Sequence, residues 1–169
     1  ASKRLVFAGQ DLVQSGREAG KLMVKTLDGK GKVLITTIDA AAQWSIDREK
    51  GAREALGAAK DIQIVQTVNT GTDPQQIYPA IENAMLAHPD VTGILSLECC
   101  STPAAGTWVD RNNKIGQVKV VGFDLLDATV VQNRDAGGHG HRLDLVVGDV
   151  DGGGAGGAVD AHEFAAHLD

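Results

Sequence analysis

Short apolar runs alternate with helical segments along the first 135 residues, and this alternation limits the folds open to the chain. Each run has the length of a strand and is bounded by Gly, Asp or Pro. The runs are rich in β-branched and apolar residues, and the core strands read as continuous apolar runs, which is typical of strands buried on both faces. Five strands are therefore predicted, at Arg4–Ala8, Lys32–Thr37, Ile62–Val65, Gly93–Leu97 and Val118–Gly122.

The segments between the runs carry apolar residues about one helical turn apart. One start signal is explicit, because Asp73 is a favourable N-cap and Pro74 suits the first helical position. Strand–helix alternation at this spacing favours right-handed βαβ units. The predicted fold is α/β, a three-layer, doubly wound, Rossmann-like sheet of about five parallel strands. The predicted helices are Ser15–Leu27, Ile46–Ala58, Pro74–Ala87 and Thr102–Val109.

Composition narrows the class of partner. The chain has 169 residues and a formal charge of -6, which disfavours a nucleic-acid partner held by phosphate contacts. Its apolar stretches are far shorter than the roughly 20 residues of a membrane helix, so no membrane insertion is expected. The first residues also lack the features of a secretory signal. We expect a small molecule or another protein as partner.

The composition changes near residue 135. Residues 136–169 hold four of the five His, no Lys and a Gly-rich run, and they are markedly acidic. We therefore divide the chain into a domain at 1–135 and a Gly-rich acidic tail at 136–169. Leu125–Arg134 is predicted to be helical. Within the tail, Arg142–Val147 is predicted to add an edge strand and Val159–Leu168 a short helix.

No cofactor or metal site is predicted. Neither a GxxxxGK[ST] nor a GxGxxG pattern follows any predicted strand, which disfavours nucleotide binding. His139 and His141 fall short of the four ligands of a structural zinc site. Cys99 follows a strand, but His88 is the one histidine in residues 1–135 and lies at the far end of the third helix. No catalytic residue is therefore predicted.

Polar side chains follow each predicted strand, where ligands of open parallel sheets bind. They include carboxylates, amides, hydroxyls and a Trp, and Arg48 stands just beyond them at the start of the second helix. We call this edge of the sheet the rim. It comprises Gln10–Asp11, Asp39–Trp44, Val68–Asp73, Glu98–Ser101 and Asp124.

Seven short motifs occur in an order that resembles a known family. They are Gly9-Gln10-Asp11, Gly16, Ala19–Leu22, Gly29–Val33, Arg48–Gly51, His88–Val91 and Val120–Asp124. Together they resemble the C-terminal lobe of type I periplasmic sugar-binding proteins, the solute-binding components of ABC transporters, over about residues 3–130. The stretch from Glu98 to Ala105 is most similar to the rhamnose and autoinducer-2 branches of that family.

The resemblance implies roles for five residues. Arg48 is expected to donate to sugar hydroxyls and the ring oxygen, and Asp124 to accept from a pair of hydroxyls. A guanidinium and a carboxylate are complementary to vicinal diols. The face of Trp44 is expected to pack against sugar C–H bonds. Glu98 is expected to contribute a polar ligand contact, and Asp11 to lie in the crossover region near the cleft.

The resemblance also implies partners and a compartment. The family binds its ligand between two lobes and delivers it to a membrane permease, so a periplasmic or extracellular location and no enzymatic activity are expected. The first lobe does not correspond to any part of this chain, and we expect the uncovered cleft face to favour a homodimer.

Two other functions are weighed against sugar transport. The related LacI-type regulators usually have a Gly-His-Arg-type turn where this sequence has Gly31-Lys32, which points away from an effector domain of that kind. A small flavodoxin-like enzyme would need a catalytic base or a phosphate loop, and neither is found.

Overall fold

A five-stranded parallel sheet forms the centre of the molecule. The computed structural model describes residues 9–124 and 145–148. The strand order is β2-β1-β3-β4-β5 and every neighbouring pair is parallel, which confirms the predicted fold class. The strands are β1 (Lys30–Thr37), β2 (Asp61–Asn69), β3 (Gly93–Ser96), β4 (Lys119–Phe123) and β5 (Leu145–Gly148). The helices are α1 (Leu12–Thr26), α2 (Gln43–Gly57), α3 (Pro74–Ala87) and α4 (Ser101–Arg111).

Three helices begin earlier than the sequence predicts, α1 and α2 by three residues each and α4 by one. Helix α1 begins at Leu12 because Asp11 caps it, accepting from Gln14 N at 2.9 Å. Helix α2 begins at Gln43, three residues before the predicted Ile46, so Trp44 lies in its first turn and not ahead of the helix. The buried positions at these starts are Ser15 and Gly16 in α1 and Ser45 in α2, so the apolar periodicity begins later than the helices do.

Some predictions fall on other parts of the chain. The strand at Arg4–Ala8 and the helices at Leu125–Arg134 and Val159–Leu168 lie outside the described residues. The predicted edge strand is confirmed at Leu145–Gly148, where it pairs with β4. Four residues of the range 136–169 thus join the sheet, and the division near residue 135 stays a prediction.

The sheet is covered on both faces. Helices α1 and α2 pack on one face around Val33 and Ile35, and α3 and α4 pack on the other around Leu34. Adjacent residues of β1 thus point into opposite cores, as the pleat of a doubly covered strand requires. Within residues 9–124 no helix has both the length and the apolar character needed to cross a membrane.

Glycines bring α1 and α2 unusually close. A Cβ on Gly16 would lie 1.9 Å from the carbonyl oxygen of Arg48, and one on Gly51 would lie 1.8 Å from that of Val13. Both distances are too short for a real side chain, so the two backbones approach closely only because these positions are glycine. This contact sets the position of the first turns of α2, from which the Arg48 side chain extends.

Gly51→Ala tests this close approach. The added methyl group has no space against α1, and we expect a loss of roughly 1–3 kcal/mol in the free energy of unfolding, the usual cost of overpacking. Gly57→Ala in the same helix is the matched control, because nothing lies within 4 Å of its Cβ position. Urea denaturation measures both, and equal stability of the two variants would contradict the helix–helix contact described here.

Candidate functional site

The guanidinium of Arg48 joins three separate segments at the rim. Its Nη1 donates to the carbonyl oxygen of Leu97 at 2.8 Å, just beyond β3. Its Nη2 donates to Oε1 of Gln10 at 3.2 Å, ahead of α1. The group also lies 4.3 Å from the ring centre of Phe123, the last residue of β4. Arg48 is therefore held in place by residues that are distant in sequence.

Opposite charges surround this half-buried guanidinium. Burial lowers the pKa of Arg48, while the nearby Asp124, Glu98 and Cys99 act against that shift by favouring the charged form. The structure therefore brings Arg48, Glu98 and Asp124 to one edge of the sheet, as the sequence predicts.

Most carboxylates of the rim serve the chain itself. Asp11 caps α1, and Asp73 caps α3 by accepting from Gln75 N at 2.9 Å. Asp39 closes a turn by accepting from Ala41 N at 3.0 Å. Parallel βαβ units place helix N-termini at this edge, and their free N–H groups need such acceptors. Acidic residues at the rim are thus mainly explained by helix starts and turns.

Glu98 is the buried member of this group, with 4% of its surface exposed. Its carboxylate accepts from the backbone N–H groups of Cys100 and Ser101, the latter at 3.1 Å, and from the Ser101 hydroxyl. The carboxylate therefore satisfies the N-terminus of α4. Its predicted contact with a ligand stays a prediction.

Asp124 differs from the other acids of the rim. It is exposed at the end of β4 and has a positive φ of 61°, a conformation that Asp tolerates better than most residues. No donor among residues 9–124 forms a hydrogen bond with its carboxylate. Asp124 is therefore the acid at this edge that is placed near Arg48 and is not used by a helix or turn of the described chain.

A chain of buried hydroxyls lies beneath the rim. Thr36 at the end of β1 contacts the hydroxyls of Ser96 at 3.0 Å and Ser101 at 2.8 Å. The Thr37 hydroxyl pairs with that of Ser45 in the first turn of α2, at 2.8 Å. Sequence reasoning missed Thr36, Thr37, Ser45 and Ser96 as site-forming residues. The signal was present, because hydroxyl residues at the carboxyl ends of apolar strands need buried partners.

Trp44 lies beside the Arg48 guanidinium. Its ring centre is 5.9 Å from Cζ of Arg48, within reach of a cation–π contact, and the residue is half-buried. A flat aromatic face thus borders the polar groups of the rim.

One cluster among the described residues offers metal-ligand atoms. It comprises Glu98, Cys99 and Cys100, whose ligand atoms lie within 4.8 Å of one another. Metal binding there would draw the Glu98 oxygens away from the N–H groups of α4, and the neighbouring guanidinium would repel a cation. The arrangement therefore fits a metal ion poorly.

Comparisons with known proteins agree with this geometry. Residues 1–138 match the family model described as the periplasmic binding protein domain. The xylose/arabinose-binding protein XylF of Sulfolobus acidocaldarius is 27% identical over 132 residues, which are 75% of this chain and 32% of that protein.

Solved structures give the same result. AraP, an arabinose-binding protein from Geobacillus stearothermophilus, is 26% identical with a TM-score of 0.73, covering 80% of this chain and 46% of that one. A solute-binding protein from Burkholderia graminis in complex with D-arabinose shares the fold, with a TM-score of 0.75 at 24% identity over 86% of this chain and 49% of that one. This chain thus spans less than half the length of these relatives.

Glu98→Gln tests the role of the buried carboxylate. The amide replaces an acceptor oxygen with an N–H₂ group facing the N–H groups of α4, and we expect a loss of about 1–3 kcal/mol in unfolding free energy. Glu54→Gln is the control, since its exposed pair with Arg17 contributes little, on the order of 0.5 kcal/mol. Urea denaturation of both variants decides the point, and a Glu98 variant as stable as the control would refute the capping role.

Proposed function

The chain belongs to the periplasmic binding protein domain family, and from this membership we propose that it binds a sugar at the rim. The observation that carries the proposal is the placement of a fixed guanidinium and an unengaged carboxylate at one sheet edge. The function is binding rather than catalysis, as part of a solute-binding protein that supplies an ABC permease in the periplasm or outside the cell.

Arg48 and Asp124 supply the complementary charges for a polyol. Two of the five guanidinium N–H groups are used by Leu97 and Gln10, so other Nη hydrogens remain for sugar oxygens. The Asp124 carboxylate accepts from two hydroxyls, which an anchored vicinal diol presents together. Because Arg48 is held by its neighbours before a ligand arrives, little ordering cost falls on binding.

Trp44 is proposed as the apolar wall of the site. Its half-buried ring beside Arg48 offers a flat face to the C–H bonds of a pyranose or furanose ring. The hydrogen bonds of Glu98 and Asp11 serve α4 and α1. We therefore assign these two acids to positioning the rim, with the ligand contacts made by Arg48, Asp124 and Trp44.

The relatives favour one class of sugar. Two proteins more than 25% identical to this chain carry arabinose in their names, and one of these also carries xylose. We propose an aldopentose as the ligand. An aldopentose presents several adjacent hydroxyls and no charge, which matches a site with one cation and one anion.

Titration with aldopentoses tests this proposal. Backbone amide NMR of the chain with D-xylose or arabinose is expected to shift the resonances of residues 97–101 and 124. Arg48→Ala and Asp124→Asn should each weaken binding by roughly 10- to 100-fold, the value of a charge-assisted hydrogen bond.

Arg111→Ala is the matched control for that titration. Arg111 lies over the Tyr78 ring at the opposite end of α4, and its loss should leave the affinity unchanged. Equal affinities of wild type and the Arg48 variant, or shifts spread evenly over the protein, would reject the rim as the binding site.

We further propose that two copies of the chain associate through the rim face. Ile46 in the first turn of α2 leaves 46% of its surface exposed at the rim end of this helix, which suits an interface. Light scattering at rising concentration should show a dimer, and Ile46→Glu should shift it to monomer. Leu86→Glu is the control, because Leu86 is another exposed large apolar residue and lies on α3. A monomer at every concentration would exclude the interface.

A further inference from the structure

Two free thiols lie side by side at the rim. Cys99 and Cys100 join β3 to α4, both are half-buried, and their Sγ atoms are 3.1 Å apart. Neither side chain has a part in the proposed sugar contacts. A contact this short places each sulfur within reach of any bond that forms at the other.

The surroundings of the two thiols differ. Cys99 is close enough to the Arg48 guanidinium for an electrostatic interaction. The hydrogen bond with Cys99, together with burial, raises the pKa of the Cys100 thiol to about 12. Cys100 therefore keeps its proton. The thiolate is the attacking form of a cysteine, so the raised pKa of Cys100 disfavours it as the first nucleophile.

We propose that Cys99 and Cys100 form a thiol–disulfide exchange site whose co-substrate is a low-molecular-weight disulfide. Cys99 attacks one sulfur of that disulfide, breaks its S–S bond and releases one thiol. Cys100 then attacks Sγ of Cys99, and its proton leaves with the second released thiol. Two cysteine thiols are oxidised to one internal disulfide, and one external disulfide is reduced to two thiols.

The order of attack follows from the contact between the two sulfurs. While Cys99 is free, its hydrogen bond holds the proton on Cys100. Once Cys99 is joined to the external sulfur, that contact is lost and Cys100 deprotonates more readily. Cys99 is therefore the nucleophile and Cys100 the resolving group.

The internal disulfide is expected to be easily reduced. Adjacent residues lie about 3.8 Å apart at Cα, less than the roughly 4.4–6.8 Å of ordinary disulfides, and strained bridges are more reducible. Closing the bridge also pulls on the backbone N–H of Cys100, which donates to Glu98. It pulls equally on the preceding segment, in which the Leu97 carbonyl oxygen accepts from Arg48. The effect on sugar affinity rests on the proposed function, whereas the exchange chemistry does not.

Exchange with oxidised glutathione, without sugar present, tests the proposal. The reduced chain should lose two hydrogens by intact mass and remain otherwise unmodified, with Cys99 and Cys100 linked in one peptide. Cys100→Ser should accumulate one glutathione adduct at Cys99. Cys99→Ser should form its adduct at least roughly tenfold more slowly, because burial and the neighbouring Glu98 carboxylate still raise the pKa of the Cys100 thiol.

Reduced glutathione in excess should restore both thiols of the wild type. Three results would each overturn the proposal: two separate adducts on the wild type, a bridge between two copies, or equal adduct rates in the single variants. Zn²⁺ at equimolar concentration should leave exchange unaffected, and a complete block would overturn the proposal in favour of a metal site.

Discussion

The charged hydrogen bond from Arg48 to the carbonyl oxygen of Leu97 organises the rim, because it joins α2 to the segment that leaves β3. A half-buried guanidinium loses solvation, and the lowered pKa of Arg48 records that cost. The negative charges of Asp124 and Glu98 offset part of this cost by favouring the charged guanidinium. The arrangement is possible only because Gly16 allows the backbone of α1 to touch that of Arg48 itself. The site therefore depends on the close packing of α1 against α2.

A parallel sheet with helices on both faces gathers helix N-termini at one edge, and this fixes what acidic residues there can do. The carboxylates of Asp11, Asp73 and Glu98 accept hydrogen bonds from the free N–H groups at the starts of α1, α3 and α4. The groups at this edge that no helix start or turn of the described chain uses are Asp124, the free edge of a guanidinium and an aromatic face. Uncharged hydroxylated molecules suit this set of groups, because their hydroxyls need both donors and acceptors but no net charge.

The sequence predicts the central strands well because strands buried on both faces are largely apolar, and the placement of Arg48 and Asp124 at the rim follows from their positions after strand ends. It predicts helix starts poorly, since the buried residue in the first turn of α2 is Ser45, which is fixed by a hydroxyl contact with Thr37 and not by apolar packing. The capping role of Glu98 is local, since its donors Cys100 and Ser101 follow it by two and three residues. It was missed because the usual capping residues are Ser, Thr, Asp and Asn, and a Glu ahead of a helix is not a standard start signal.

The dithiol lies in the segment from Leu97 to Ser101, whose Leu97 carbonyl oxygen holds Arg48, so the two proposals together link the dithiol equilibrium to sugar binding. If the internal disulfide changes sugar affinity by some factor through Leu97 and Arg48, bound sugar must change the dithiol–disulfide equilibrium by the same factor, because binding free energies are reciprocal. Glu98 sets the direction of this coupling between dithiol and sugar. Its bonds to Cys100 and Ser101 fix the segment that holds Arg48, so the redox state that better preserves these bonds also better preserves the geometry around Arg48.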